Sequence, residues 1–117
     1  GALAFLVKQG YRDTPFFLIG YSFGAYVIHR LGPLPDPVKG VCLISPPVLK
    51  IPFDFSSTTS VPHLIMAGDA DVYCNLSILR SKLENSGREV TLIPFAGTDH
   101  FWAEKEINLV KNFLSWH

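Results

Sequence analysis

The chain is 117 residues long, room for one domain or less. Hydrophobic residues make up 48% and charged residues 17%, which excludes a disordered polypeptide and leaves a globular, core-rich chain. Ten basic and ten acidic residues cancel, so there is no electrostatic footprint for nucleic acid or an anionic membrane surface, and no apolar run approaches the ~20 residues of a membrane span.

Residues 2–9 suit a short helix, with Leu3, Leu6 and Val7 on one face and Gly10 as its stop. They are apolar but lack a basic leading region, which argues against a signal peptide. The compartment stays open, with the cytoplasm favoured. A first strand is expected at 16–20, followed by a helical pattern from Ser22 to Leu31 that Gly32-Pro33 closes. A second strand reads at 40–44. Residues 45–60 hold three prolines and a Ser/Thr cluster, and read as a loop. A third strand fits 63–67, with Met66 as core filler. A helix fits 75–86, capped by Asn75, striped by Leu76, Leu79 and Leu83, and ended by Gly87. A fourth strand fits 89–93. The last helix is expected from Trp102 to Ser115, with Ile107, Val110, Phe113 and Leu114 as its stripe.

Strands alternating with helices predict an α/β fold: a mainly parallel sheet between helical layers, about four strands wide. Right-handed crossovers put the helices at 2–9, 22–31 and 75–86 on one face and the helix at 102–115 on the other. The strand at 16–20 is then left with an unpaired edge. In such sheets ligands gather beyond the carboxyl ends of the strands.

Chemistry is concentrated there. Gly20-Tyr21-Ser22-Phe23-Gly24 joins the first strand to a helix. A sharp turn of this kind lifts a serine hydroxyl above the sheet, provided its neighbours are small. Gly20 and Gly24 are read as supplying that room. The bland reading is a serine that merely caps the helix. A hydroxyl is a weak nucleophile at neutral pH and needs a base, for which imidazole is suited. The imidazole needs a carboxylate to fix its tautomer. After the third strand comes Gly68-Asp69-Ala70-Asp71, and after the fourth Ala96-Gly97-Thr98-Asp99-His100. The order Ser22, Asp71, His100 puts all three on loops at one sheet edge. Asp69 is a rival acid, although its place near the strand suits turn-shaping. Asp99 adjoins His100 and is poorly placed to face it. Asp54 lies in the loop after the second strand and is a third rival. His29 is expected near a helix C-terminus, where a cation is favoured, and His63 at a strand start; both read as structural. His117 is terminal. Cys42 reads as a small core residue, its pairing with Cys74 is disfavoured, and no His/Cys/carboxylate cluster has metal-ligand spacing.

With these motifs the chain resembles the α/β-hydrolase superfamily. The matching pieces are Gly-Tyr-Ser-Phe-Gly at 20–24, Gly-Asp-Ala-Asp at 68–71 and Asp-His-Phe-Trp at 99–102. The resemblance implies Ser22 as nucleophile, Asp71 as acid and His100 as base, with the Phe23 backbone N–H as one oxyanion donor. Tyr21 and Phe23 could line a substrate pocket, and Phe101 and Trp102 are expected to pack under the histidine loop. No cofactor and no metal are implied. The narrower likeness is to small, lidless serine hydrolases, because only about sixteen residues, 45–60, lie where a cap would enter. The family's leading strands, and the loop carrying its second oxyanion N–H, have no counterpart. The chain begins with glycine, and residues 1–117 are accordingly expected to be the C-terminal half of a hydrolase domain. Loss of one oxyanion donor would cost on the order of 10²–10³ in rate. The expected function is cleavage of a carboxylic ester, or of a thioester or amide, through an acyl-enzyme. The expected partner is a small acyl substrate, not nucleic acid or a membrane. The alternative is a non-catalytic piece of hydrolase fold that serves as a binding or scaffold domain.

Overall fold

Four apolar runs become four parallel strands, and two amphipathic stretches plus one short turn-linked helix cover them. The structure, a computed structural model, describes residues 15–31, 34, 37–55, 61–84 and 90–116. The elements are β1 (Phe16–Tyr21), α1 (Phe23–His29), β2 (Val38–Ile44), β3 (His63–Gly68), α2 (Leu76–Glu84), β4 (Val90–Phe95) and α3 (Glu106–Trp116). The helix expected over 2–9, the closing Gly32-Pro33, Gly87 and His117 lie outside the described residues.

The sheet order is β1-β2-β3-β4. Its register aligns Tyr21 with Ile44, Ile44 with Met66, and Gly68 with Phe95, so the strands finish level at one edge. β3 is buried throughout and β2 at every position but one, as strands covered on both faces must be. β1 and β4 are only partly buried, despite equally apolar sequences, because each pairs on one side alone among the described residues. Edge position also tolerates Pro94 in β4. β2 starts at Val38, earlier than the apolar run suggested, and Gly40 lies inside it. A Cβ on Gly40 would come within 2.8 Å of the Phe17 ring and 2.9 Å of Trp116, so the missing side chain is the space those rings fill.

One face carries α1 and α2. Ala25 and Leu79 pack with Val41, Leu43, Ile65, Ala67 and the loop residues Phe53 and Phe55. The other face carries α3 over Cys42, Ile44, Leu64 and Met66. The division of the described helices between faces is the one the crossover rule predicts. It also separates Cys42 from Cys74, which lie in the two different cores and are both free. Asn75 caps α2, its Oδ1 accepting from the Ile78 N–H at 3.1 Å.

α3 corrects the sequence reading twice. It begins at Glu106, not Trp102, because Trp102 and Glu104 have φ of 59° and 63°, left-handed values that no helix accommodates. Its inward stripe is the half-buried Leu109, Phe113 and Trp116, while Ile107, Val110 and Leu114 face outward. Both sets recur at helical spacing, so periodicity could not choose. The aromatic set wins because Phe113 and Trp116 meet Phe17 of β1 edge-to-face, at 5.8 and 5.9 Å between ring centres.

Candidate active site

Parallel strands deliver their carboxyl ends to one rim, and every sequence motif singled out for chemistry lies there. Ser22 follows β1 directly. Its N–H donates to the Ile44 carbonyl at 2.9 Å, which continues the sheet ladder, while its own carbonyl accepts from Ala25 at 3.0 Å, which starts α1. One residue therefore belongs to strand and helix at once. The backbone answers with φ 56° and ψ −117°, a conformation that costs a non-glycine residue of order 1–3 kcal/mol. It also puts Ser22 outside the helix in which the sequence pattern included it. Its hydroxyl does not cap α1. It lies 2.7 Å from His100 Nε2.

Only one of the two flanking glycines makes the room expected of both. A Cβ on Gly20 would stand 2.5 Å from the Gly24 carbonyl oxygen, whereas one on Gly24 would meet nothing within 4 Å. The close approach is thus Gly20 against the first turn of α1.

His100 follows β4 and Asp71 follows β3, and direct hydrogen bonds tie the two loops together. The Asp69 N–H donates to the Phe95 carbonyl (3.0 Å), the Ala70 N–H to the Thr98 carbonyl (3.0 Å), and the Gly97 N–H to Asp69 Oδ1 (2.8 Å). The result sets His100 Nδ1 2.8 Å from Asp71 Oδ2. The other Asp71 oxygen accepts from the backbone N–H of Tyr73 (2.8 Å) and Cys74 (3.0 Å), so the buried carboxylate is satisfied on both sides. With Nδ1–H donating to Asp71, Nε2 is left to accept the Ser22 hydroxyl proton. The far side of the histidine loop is pinned as well. Tyr21 donates its hydroxyl to the His100 carbonyl at 2.5 Å, and buried Trp102 donates its indole N–H to Ser45 Oγ at 2.6 Å.

The rival acids are employed elsewhere. Asp69 Oδ1 holds Gly97, as turn-shaping implied. Asp99 Oδ1 accepts from the N–H groups of Phe101 and Trp102 (3.0 and 3.1 Å), which bends the chain just after His100. Asp54 sits by the end of α1, where its N–H donates to His29 Nε2 at 3.0 Å. That bond holds His29 at the C-terminal end of α1, a structural role as the sequence reading had it. His63 Nδ1 bonds the Val61 carbonyl at a strand start, a structural role. Trp102 packs beneath the loop, but Phe101 does not: it is 70% exposed and meets the His100 ring edge-on at 5.5 Å.

Three contributors escaped the sequence reading: Ser45, Tyr73 and Thr98. Ser45 has φ 50° and is fully buried at the end of β2. Nothing in the pattern Ser-Pro-Pro marks it as the partner of a tryptophan 57 positions away. Tyr73 and Thr98 act through backbone atoms and ring packing, which residue type does not announce.

A cleft of about 440 Å³ opens over Ser22 and His100. Tyr21, Phe23, Pro47, Ile51, Tyr73 and Phe101 give it apolar walls, and Lys50 adds a charge. Partial burial, then the negative charges of Asp71 and Asp99, push the Tyr21 hydroxyl above the usual phenol range. Burial pushes both Cys42 and Cys74 thiols up to about 12. Among the described residues, no group of three or more His, Cys, Asp or Glu side chains could hold a metal, and no helix is long and apolar enough to cross a membrane.

Comparison with known proteins places this fold. A lidless α/β serine hydrolase from Xanthomonas campestris matches over 92% of this chain at 30% identity and TM-score 0.73. A protein of unknown function from Agrobacterium tumefaciens, described as an α/β hydrolase, matches over 98% at 26% identity and TM-score 0.82. The esterase PE8 matches over 97% at 25% identity and TM-score 0.63. The matched regions make up 48%, 55% and 55% of those three chains, so this chain spans about half their length. No protein-family model and no curated protein sequence matches it.

Proposed function

We propose, for a chain that belongs to the α/β-hydrolase superfamily, that Ser22, His100 and Asp71 act as a catalytic triad that hydrolyses a carboxylic ester. The observation that carries this reading is the 2.7 Å approach of Ser22 Oγ to His100 Nε2, made by a serine whose strained backbone forgoes the capping bond open to it. Strain of this kind is kept where it serves a site.

In the proposed reaction Ser22 Oγ attacks the ester carbonyl carbon as His100 Nε2 takes its proton. The carbonyl π electrons move to oxygen, and the backbone N–H of Phe23 donates to that oxyanion. Collapse of the tetrahedral species expels the alkoxide, which leaves as an alcohol with the proton from His100. Water then attacks the acyl carbon, gives its proton to Nε2, and the second collapse returns that proton to Ser22 as the acid leaves. Asp71 accepts Nδ1–H throughout, holds the tautomer and stabilises the transient imidazolium. The same steps would serve a thioester or an amide. The open cleft and the short segment after β2 favour an ester of a small or medium acyl chain, as does the likeness to a lidless hydrolase and to an esterase.

A fluorophosphonate probe tests the reading. It should label the wild-type chain but not Ser22→Ala, and Ser22→Ala should lower p-nitrophenyl ester hydrolysis by at least about 10⁴-fold. Equal labelling of both proteins would overturn it, and a folded chain that neither labels nor turns over ester would be a binding or scaffold domain.

A further inference from the structure

The cleft over Ser22 is apolar or aromatic on most of its wall, and Lys50 is the one lysine or arginine among its lining residues. Its backbone is held by hydrogen bonds. The Lys50 and Ile51 N–H groups both donate to the Pro47 carbonyl at 3.0 Å, and the neighbouring Leu49 N–H donates to the Tyr73 carbonyl at 3.1 Å. The turn that carries Lys50 is thereby tied to the segment that carries Tyr73, whose ring meets His100 edge-on at 4.9 Å. Lys50 Nζ stands 6.0 Å from the centre of that same ring. Among the described residues, no carboxylate comes within 4.0 Å of it.

Tyr21, which also lines the cleft, has negative charge nearby, that of Asp71 and Asp99. Asp71 is paired with His100, but Asp99 is exposed. Within the lining of this cleft, the Lys50 ammonium is the group that attracts an anion.

We infer that the ester cleaved at Ser22 carries a second, ionised carboxylate, and that this group docks on the Lys50 ammonium. The inference rests on the hydrolase reading above and narrows its substrate class. It predicts a polarity of binding, with the carboxylate directed toward Tyr73 and Lys50.

The test compares matched p-nitrophenyl esters, the hexanoate and the mono-adipate, which differ in a terminal methyl against a terminal carboxylate. The readout is the ratio of kcat/KM for adipate over hexanoate. Lys50→Met should lower that ratio about three- to fivefold, and Lys50→Arg should keep it, as expected for an exposed charge pair. The ratio should also fall as salt is raised. Free adipate supplies a readout independent of turnover: its binding, followed by NMR shifts of Tyr73 and Phe101, should weaken in Lys50→Met. Hydrolysis of both esters with an unchanged ratio in Lys50→Met overturns the inference and leaves the hydrolase reading intact. Adipate binding that depends on Lys50, in a protein that cleaves neither ester, sustains the anion site and overturns the hydrolase reading. Loss of both signals removes both.

Discussion

The carbonyl oxygen of Thr98 occupies the space that a side chain on Gly68 would need. A Cβ at position 68 would stand 1.9 Å from that oxygen, and 2.8 Å from the Thr98 Cβ. The same oxygen accepts the Ala70 N–H at 3.0 Å. Gly68 ends β3 and Thr98 lies two residues before His100, so this contact fixes how closely the Asp71 and His100 loops approach each other.

Gly68→Ala should therefore force backbone apart at the rim. Displacing a catalytic group by about 1 Å can cost about 10²-fold in rate, and ester hydrolysis should fall by at least that much. Gly97→Ala is the control. Gly97 has φ 63° but nothing within 4 Å of its Cβ position. It should lose about 1–2 kcal/mol of stability from backbone strain alone. Urea denaturation of both variants, run beside ester hydrolysis, checks the contrast.

Asp71→Asn should lower kcat by about 10⁴-fold, because an amide can offer its NH₂ to His100 and stabilise the wrong tautomer. Asp69→Asn should stay within about tenfold of wild type, since its carbonyl oxygen can still accept the Gly97 N–H. Comparable losses in the two variants would mean that the acid has been misassigned.

Tyr21→Phe removes the hydroxyl that holds the His100 carbonyl at 2.5 Å but keeps the ring beside the imidazole. A neutral hydrogen bond is worth about 0.5–1.5 kcal/mol. The variant should lose up to about tenfold in kcat, with a smaller change in KM, as steady-state kinetics will show.

The cysteines make an alkaline prediction. In the unfolded chain a thiol ionises near its ordinary value of 9.0; in the fold burial raises both to about 12. The neutral-thiol contribution to stability is complete below pH 9 and is lost as pH rises from there towards 12. Native protein at pH 8 should resist iodoacetamide, and urea-unfolded protein should react at both Cys42 and Cys74; mass spectrometry separates the two cases.

Sequence carried the layer order because apolar continuity and turn chemistry are local. The runs at 16–20, 40–44, 63–67 and 89–93 name strands, and the spacing of Leu76, Leu79 and Leu83 names a helix face, without knowledge of neighbours. Handedness then assigned α1 and α2 to one side and α3 to the other. The order Ser22, Asp71, His100 likewise follows from where strands end.

Tertiary structure decided what local patterning leaves equal. Ile107, Val110 and Leu114 and Leu109, Phe113 and Trp116 are both helical stripes; only contacts with distant strands, Phe17 of β1 and the core residues of β2 and β3, select the second. Gly20 and Gly24 look alike in the motif, and only the path of α1 shows which one is crowded. Asp69, Asp71 and Asp99 share a residue type on two neighbouring loops, and their roles diverge because each carboxylate takes the nearest unsatisfied N–H groups. Hydrogen bonds act over about 3 Å, so which atoms come that close is set by the packing of distant segments and not by the residues on either side.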